Sequence, residues 1–113
     1  MENEWLDEDG YPTEAALDRI TNWDYNDPKG WFEFIECLWQ LSSWGWTEGP
    51  FKYNEWDEQN KYLYRISTAG WSGNEDIIRA MQKHRILWDD AWLESRRGGH
   101  YIFELNNEDS NMQ

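Results

Sequence analysis

The chain has 113 residues, the span of one domain, which leaves no room for a second core. Its formal net charge is −13, from 23 carboxylates against ten Lys and Arg, which disfavours direct contact with nucleic acid or an anionic membrane. Aromatic residues make up 18% of the chain, ten of them Trp, and this excludes the aromatic-poor, highly charged composition of a disordered segment.

The mean hydropathy of −1.04 is compatible with a core because so much of the apolar material is aromatic. Each buried aromatic removes about 150–250 Å² from water, so a few rings replace many aliphatic side chains. Cys37 is the only cysteine. No intrachain disulfide can form, and the run around Cys37, Phe34 to Trp39, predicts a small buried hydrophobe. The opening Met1-Glu2-Asn3-Glu4-Trp5 lacks the basic and apolar regions of a signal peptide. No apolar run approaches the roughly 18–20 residues of a membrane span. These features predict a cytoplasmic location.

In chain order, residues 1–10 read as a loose acidic lead, with the ordered core from about 11 to 105 and a polar tail beyond. A first helix starts after Pro12, with Thr13 as N-cap and Ala16, Leu17, Ile20 and Trp23 at helical spacing. Asp27 and Pro28 are the N-cap and first residue of a second helix, expected to run to Leu41. Its stripe of Trp31, Phe34, Ile35, Leu38 and Leu41, widened by Phe32 and Trp39, marks it as central.

A short strand is expected around Trp44 to Trp46. Strands follow from Phe51 to Trp56 and from Lys61 to Thr68, joined by a turn at 57–60. Ser72 and Glu75 have the spacing of a capping box, which starts a third helix ending near His84. His84 itself reads as a cation at that helix end. Ile86 to Ser95 fits either a strand or a helix, and the loop-like Arg96-Arg97-Gly98-Gly99 favours a strand returning through His100 to Leu105. The expected fold is α+β, three helices packed on a mainly antiparallel sheet in the order α-α-β-β-α-β-β.

No catalytic set stands out. Gly70-Trp71-Ser72-Gly73-Asn74 approaches the G-x-S-x-G nucleophile elbow but fails at Asn74. Two histidines and one cysteine cannot make a structural zinc site of the Cys and His type. Asp7-Glu8-Asp9-Gly10 and Asp24 to Asp27 do not fit the EF-hand register, and no phosphate-binding glycine loop occurs. Neither a metal nor a cofactor is therefore expected. Two clusters are candidate ligand or partner sites: Trp71, Ser72 and Asn74 at the third helix start, and the cations Arg96, Arg97 and His100 around the last loop, suited to an anion or carboxylate. Among the tryptophans, Trp23, Trp31, Trp39, Trp88 and Trp92 fall on core faces, whereas Trp44, Trp46, Trp56 and Trp71 fall near turns. Exposed Trp marks contact surfaces.

Three strings, Trp5 to Thr13, Thr68 to Glu75 and Ser95 to Glu104, resemble segments of small phage and prophage proteins of unknown function. The resemblance implies a bacterial cytoplasmic setting and no activity. The expected function is a non-catalytic interaction module meeting a basic patch on a host protein, one variant being an inhibitor of a nucleic-acid enzyme. Two alternatives are a ligand-binding or enzymatic domain with its site near Trp71 to Asn74 and the 96–100 loop, and a structural component of a phage particle.

Overall fold

The computed structural model describes residues 4–40, 45–51 and 61–106. Helices α1 (Glu14–Thr21) and α2 (Pro28–Leu38) lead into strands β1 (Trp46–Phe51) and β2 (Lys61–Ser67). Then come α3 (Ser72–Lys83), α4 (Arg85–Ala91), β3 (Trp92–Arg96) and β4 (His100–Asn106). All pairings are antiparallel and the strand order is β1-β2-β4-β3. The class is α+β, with four described helices against the three expected. Among the described residues no helix is long and apolar enough to cross a membrane.

Both early caps form as the residue types dictate. The Thr13 hydroxyl accepts from the Ala16 N–H at 3.2 Å, and an Asp27 carboxylate oxygen accepts from the Gly30 N–H at 3.1 Å. Helix α2 stops at Leu38, short of the expected Leu41, because Trp39 turns to extended backbone as the C-cap. Leu41 lies outside the described residues.

The sheet alternation decides what the helices cover. Trp46, Tyr64, Ile66 and Phe103 sit on one face and join the core with Ile20, Trp31, Phe32, Ile35, Ile77, Met81 and Leu87 from the helices. Phe32 stacks on Tyr64 with centroids 4.1 Å apart and leans on Phe103 at 5.2 Å. Trp31 is fully buried and its Nε1 donates to the Ile20 carbonyl at 2.9 Å, which fixes α2 to α1. Trp39 Nε1 donates to the Ser67 carbonyl at 3.0 Å, fixing the end of α2 to β2.

Several expectations are corrected. The segment read as one strand from Ile86 to Ser95 divides into α4 and β3. A helix buries Leu87, Trp88 and Ala91 together, whereas a strand would put Leu87 and Trp88 on opposite faces. His84 is not an exposed cation. It is buried, its Nδ1 accepts from the Leu87 N–H, and its Nε2 lies 2.7 Å from the Trp23 carbonyl, so it joins two helices and the α1–α2 connection. Cys37 is exposed, on the solvent side of α2. Trp92, expected on a core face, is 44% exposed, whereas Trp46, placed near a turn, is buried.

The Ser72–Glu75 capping box does not form: Trp71 is the N-cap of α3, with no side-chain cap hydrogen bond, and the Ser72 hydroxyl pairs with the Tyr11 hydroxyl at 3.0 Å. The short strand expected near Trp46 extends to Phe51, and the rest of the expected 51–56 strand and its turn, with Trp44 and Trp56, lie outside the described residues. The lead before Tyr11 is drawn into the fold. Leu6 bridges to Pro12, Thr13 Oγ1 donates to the Glu4 carbonyl at 2.7 Å, and Trp5 packs edge-on against Phe34.

Asn74 is the polar group at the centre of this packing. It is fully buried. Its Oδ1 accepts from the Gln40 N–H at 3.0 Å, and its Nδ2 donates to the Gln40 carbonyl at 3.0 Å and the Thr68 carbonyl at 3.3 Å. One amide thus closes backbone groups that no helix or strand satisfies. Asn74→Ala leaves the Gln40 N–H and carbonyl without this partner and is expected to destabilise the fold by about 2–4 kcal/mol. Urea unfolding followed by Trp fluorescence measures this, and a loss below about 1 kcal/mol would contradict the role.

Candidate functional site

The outer sheet face, away from the helices, carries the candidate site. Leu63 is buried there, but the end where β1 begins and β2 ends is open. A groove of about 570 Å³ is lined there by Thr47, Arg65, Ser67, Arg96, His100 and Ile102, among others. The register explains the convergence. Arg96 faces His100 across β3 and β4, His100 faces Ser67, Thr47 faces Arg65, and Arg65 faces Ile102. Period-two alternation places all six on one face. Directly opposed side chains have Cβ atoms about 5 Å apart and diagonal ones about 7–8 Å, so Arg96, His100 and Arg65 form a continuous row.

The loop that holds Arg96 and His100 is fixed by its glycines. Gly98 and Gly99 have φ of +87° and +79°, the left-handed region that side chains resist. Gly99 also lies so close to Thr68 that an added Cβ would fall 2.2 Å from its hydroxyl, and its carbonyl accepts from the Thr68 N–H at 3.0 Å. The last hairpin is thereby seated on the turn that begins α3.

That contact brings the two expected clusters near each other but not into one pocket. Arg96 and His100 line the groove. Arg97 is exposed in the adjoining turn, outside the groove lining. The Asn74 amide is taken up by Gln40 and Thr68. Trp71 lies against Tyr11 with centroids 4.6 Å apart, and its buried Nε1 has no hydrogen-bond partner. Ser72 is exposed beside them, bonded to Tyr11. The sequence reading missed Arg65 and Thr47. A signal for Arg65 exists, since it shares the mixed alternate face of its strand with Lys61 and Leu63.

The helical side has opposite charge. Residues 4–38 contain ten carboxylates and two cations, Arg19 and Lys29, and every one of those carboxylates is exposed. Arg19 is folded over rings, its guanidinium 4.8 Å from the Trp23 centroid, 5.3 Å from Phe34 and 5.5 Å from Trp5. It spends its charge locally as a cation–π contact. Among the described residues, no group of three or more His, Cys, Asp and Glu side chains is placed to hold a metal ion.

One carboxyl on this side, Glu36, is perturbed by its neighbours. Glu48 accepts from Trp46 Nε1 at 2.7 Å and from the Tyr62 hydroxyl at 2.8 Å. Glu36 has its pKa raised, first by partial desolvation and then by the charges of Glu48 and Glu33. The Tyr62 phenol is pushed up to about 12, by desolvation first and then by its bond to Glu48 and that residue's charge. Since the folded pKa of Glu36 lies above its unfolded value, the stability it contributes is complete below the unfolded pKa of about 4.3 and is lost as pH rises through the folded pKa. Glu36→Gln is therefore expected to raise Tm at pH 7, with the gain disappearing below about pH 4. Thermal melts at both pH values test this, and a gain of equal size at each would contradict it.

Comparison of the chain with protein-family models, with curated proteins and with solved structures returns no match.

Proposed function

We propose that this protein is a small non-catalytic interaction module that docks its carboxylate-rich helical side on a basic surface of another protein. The observation that supports the reading is the segregation of charge. All ten carboxylates of residues 4–38 face solvent, and one of the two cations among them, Arg19, is turned onto aromatic rings. An acidic layer of this kind steers basic partners at long range and repels polyanions. A nucleic-acid enzyme presents such a basic surface in its substrate channel, where protein carboxylates can take the places of phosphates. The specific proposal is an inhibitor of a host nucleic-acid-handling protein, acting in a bacterial cytoplasm as a phage-type product.

Tagged protein incubated with bacterial lysate at low and high salt tests the reading. A specific partner is expected to be retained at low salt, released at high salt and displaced by duplex DNA. The double variant Asp18→Lys, Glu33→Lys changes side chains with no capping bond and is expected to weaken that complex at least tenfold. Partner retention that ignores salt and both charge reversals would remove the proposal.

A further inference from the structure

We propose that the outer-face groove is a second, separate binding site, for a small dianionic organic ligand of the phosphate-monoester or dicarboxylate class. It does not rest on the docking reading, because it uses the opposite face of the sheet and the opposite charge.

The groove brings two guanidinium groups from different strands onto one face. Arg79 and Arg85 pair with Asp76 and Asp89 on their own helices, and Arg19 lies on aromatic rings. Such short-range pairing is what a chain of net charge −13 makes easy. What sets Arg65 apart is its place in the groove with Arg96, since Lys29, Lys61, Lys83 and Arg97 also form no ion pair among the described residues. Arg65 is exposed on the groove, and among the described residues no ion pair forms to it. Arg96 uses its Nε on Glu94, a neighbour on the same strand and face, which leaves its terminal nitrogens to reach elsewhere. Among the described residues, no carboxylate lines the groove itself.

The chemistry of the lining then selects the ligand. Two guanidinium forks from different strands can each take an oxyanion in two parallel hydrogen bonds, which a lysine cannot do. The His100 imidazole between them and the Thr47 hydroxyl beside Arg65 add further hydrogen-bonding groups. The Ser67 hydroxyl accepts from the Ala69 N–H at 3.3 Å, which leaves its proton free to donate. Ile102, on the same face as Arg65 and His100, supplies an apolar contact for a carbon skeleton. A volume of about 570 Å³ falls within the ~300–1,000 Å³ range of small-molecule sites. Two guanidinium groups on one short face, one of them shared with Glu94, offer two oxyanion contacts and suit a small ligand rather than a long polyanion. A long polyanion would also be repelled by the rest of the molecule.

Isotope-labelled protein titrated at low salt with glycerol 3-phosphate, succinate and inorganic phosphate, followed by amide NMR, tests the site. The expected result is a saturable shift confined to the amides around Thr47, Arg65, Ser67, Arg96 and His100 with at least one organic anion. Which anion saturates first distinguishes the phosphate from the dicarboxylate source. Arg65→Met and Arg96→Met are each expected to weaken binding at least tenfold, while Lys83→Met and Arg85→Met, off the groove, leave it unchanged. Arg65→Lys keeps the charge and loses the fork, so an affinity between those of the native protein and Arg65→Met is expected even if the Met variant does not fold. Shifts that rise linearly or spread over every cation would overturn the site. So would wild-type affinity in both Arg65 variants, or binding of an oligoglutamate peptide alone. Because partner capture is read separately, loss of either result leaves the other interpretable.

Discussion

Burying an indole ring is costly unless its single N–H finds an acceptor, and much of the described fold is organised around that constraint. Trp31 reaches the last turn of α1, Trp39 reaches the end of β2, and Trp23 reaches the Asp27 carbonyl at 3.0 Å. Each bond fixes a ring and joins two segments of backbone. A Leu core of the same area would lack these directional ties. The rings also pack by edge and face rather than by volume alone, as in the Phe32, Tyr64 and Phe103 group. Trp71 shows what happens when the constraint is not met, since its N–H is buried and unpaired beside the α3 start.

The same packing separates charge. Helices α1 and α2 cover one sheet face through their aromatic and aliphatic stripes, so their carboxylates point outward on that side. The other face has no such cover at its open end, and three strands place Arg65, Arg96 and His100 there in one row. A strongly acidic chain therefore has a local cationic groove because strand alternation, not net charge, decides which side chains share a surface. The open end of the outer face and the α1–α2 side therefore differ in the sign of the charge they present.

Thr68 links the two halves of the molecule. Its carbonyl accepts from the buried Asn74 amide and from the Trp71 N–H, and its own N–H donates to Gly99. Ala69 and Gly70 carry the chain through the turn at positive φ, the signs of a type I′ turn. The start of α3, the end of α2 and the last hairpin are thus held at one point, and the groove cations are mounted on it.

The residues alone determined the elements with strong local chemistry. Thr13, Asp27 and Pro28 started the first two helices where expected, and alternation in Lys61 to Ser67 and His100 to Leu105 placed two strands. Arg96 and His100 were legible as a cationic pair because they flank a Gly-Gly loop. What local pattern left open, tertiary packing decided. Leu87, Trp88 and Ala91 became a helix because only a helix buries them together, and Ser72 bonded to Tyr11 because the helix takes Trp71 as its N-cap and puts Ser72 inside the first turn. Trp46 went inside and Trp92 outside because one lies over the end of α2 and the other on an edge strand with a bulge. Arg65 joined the groove through strand order, a long-range pairing that no spacing along the chain encodes. Propensity and capping act over a few residues and can be read from them, whereas burial and pairing depend on neighbours that only the folded chain supplies.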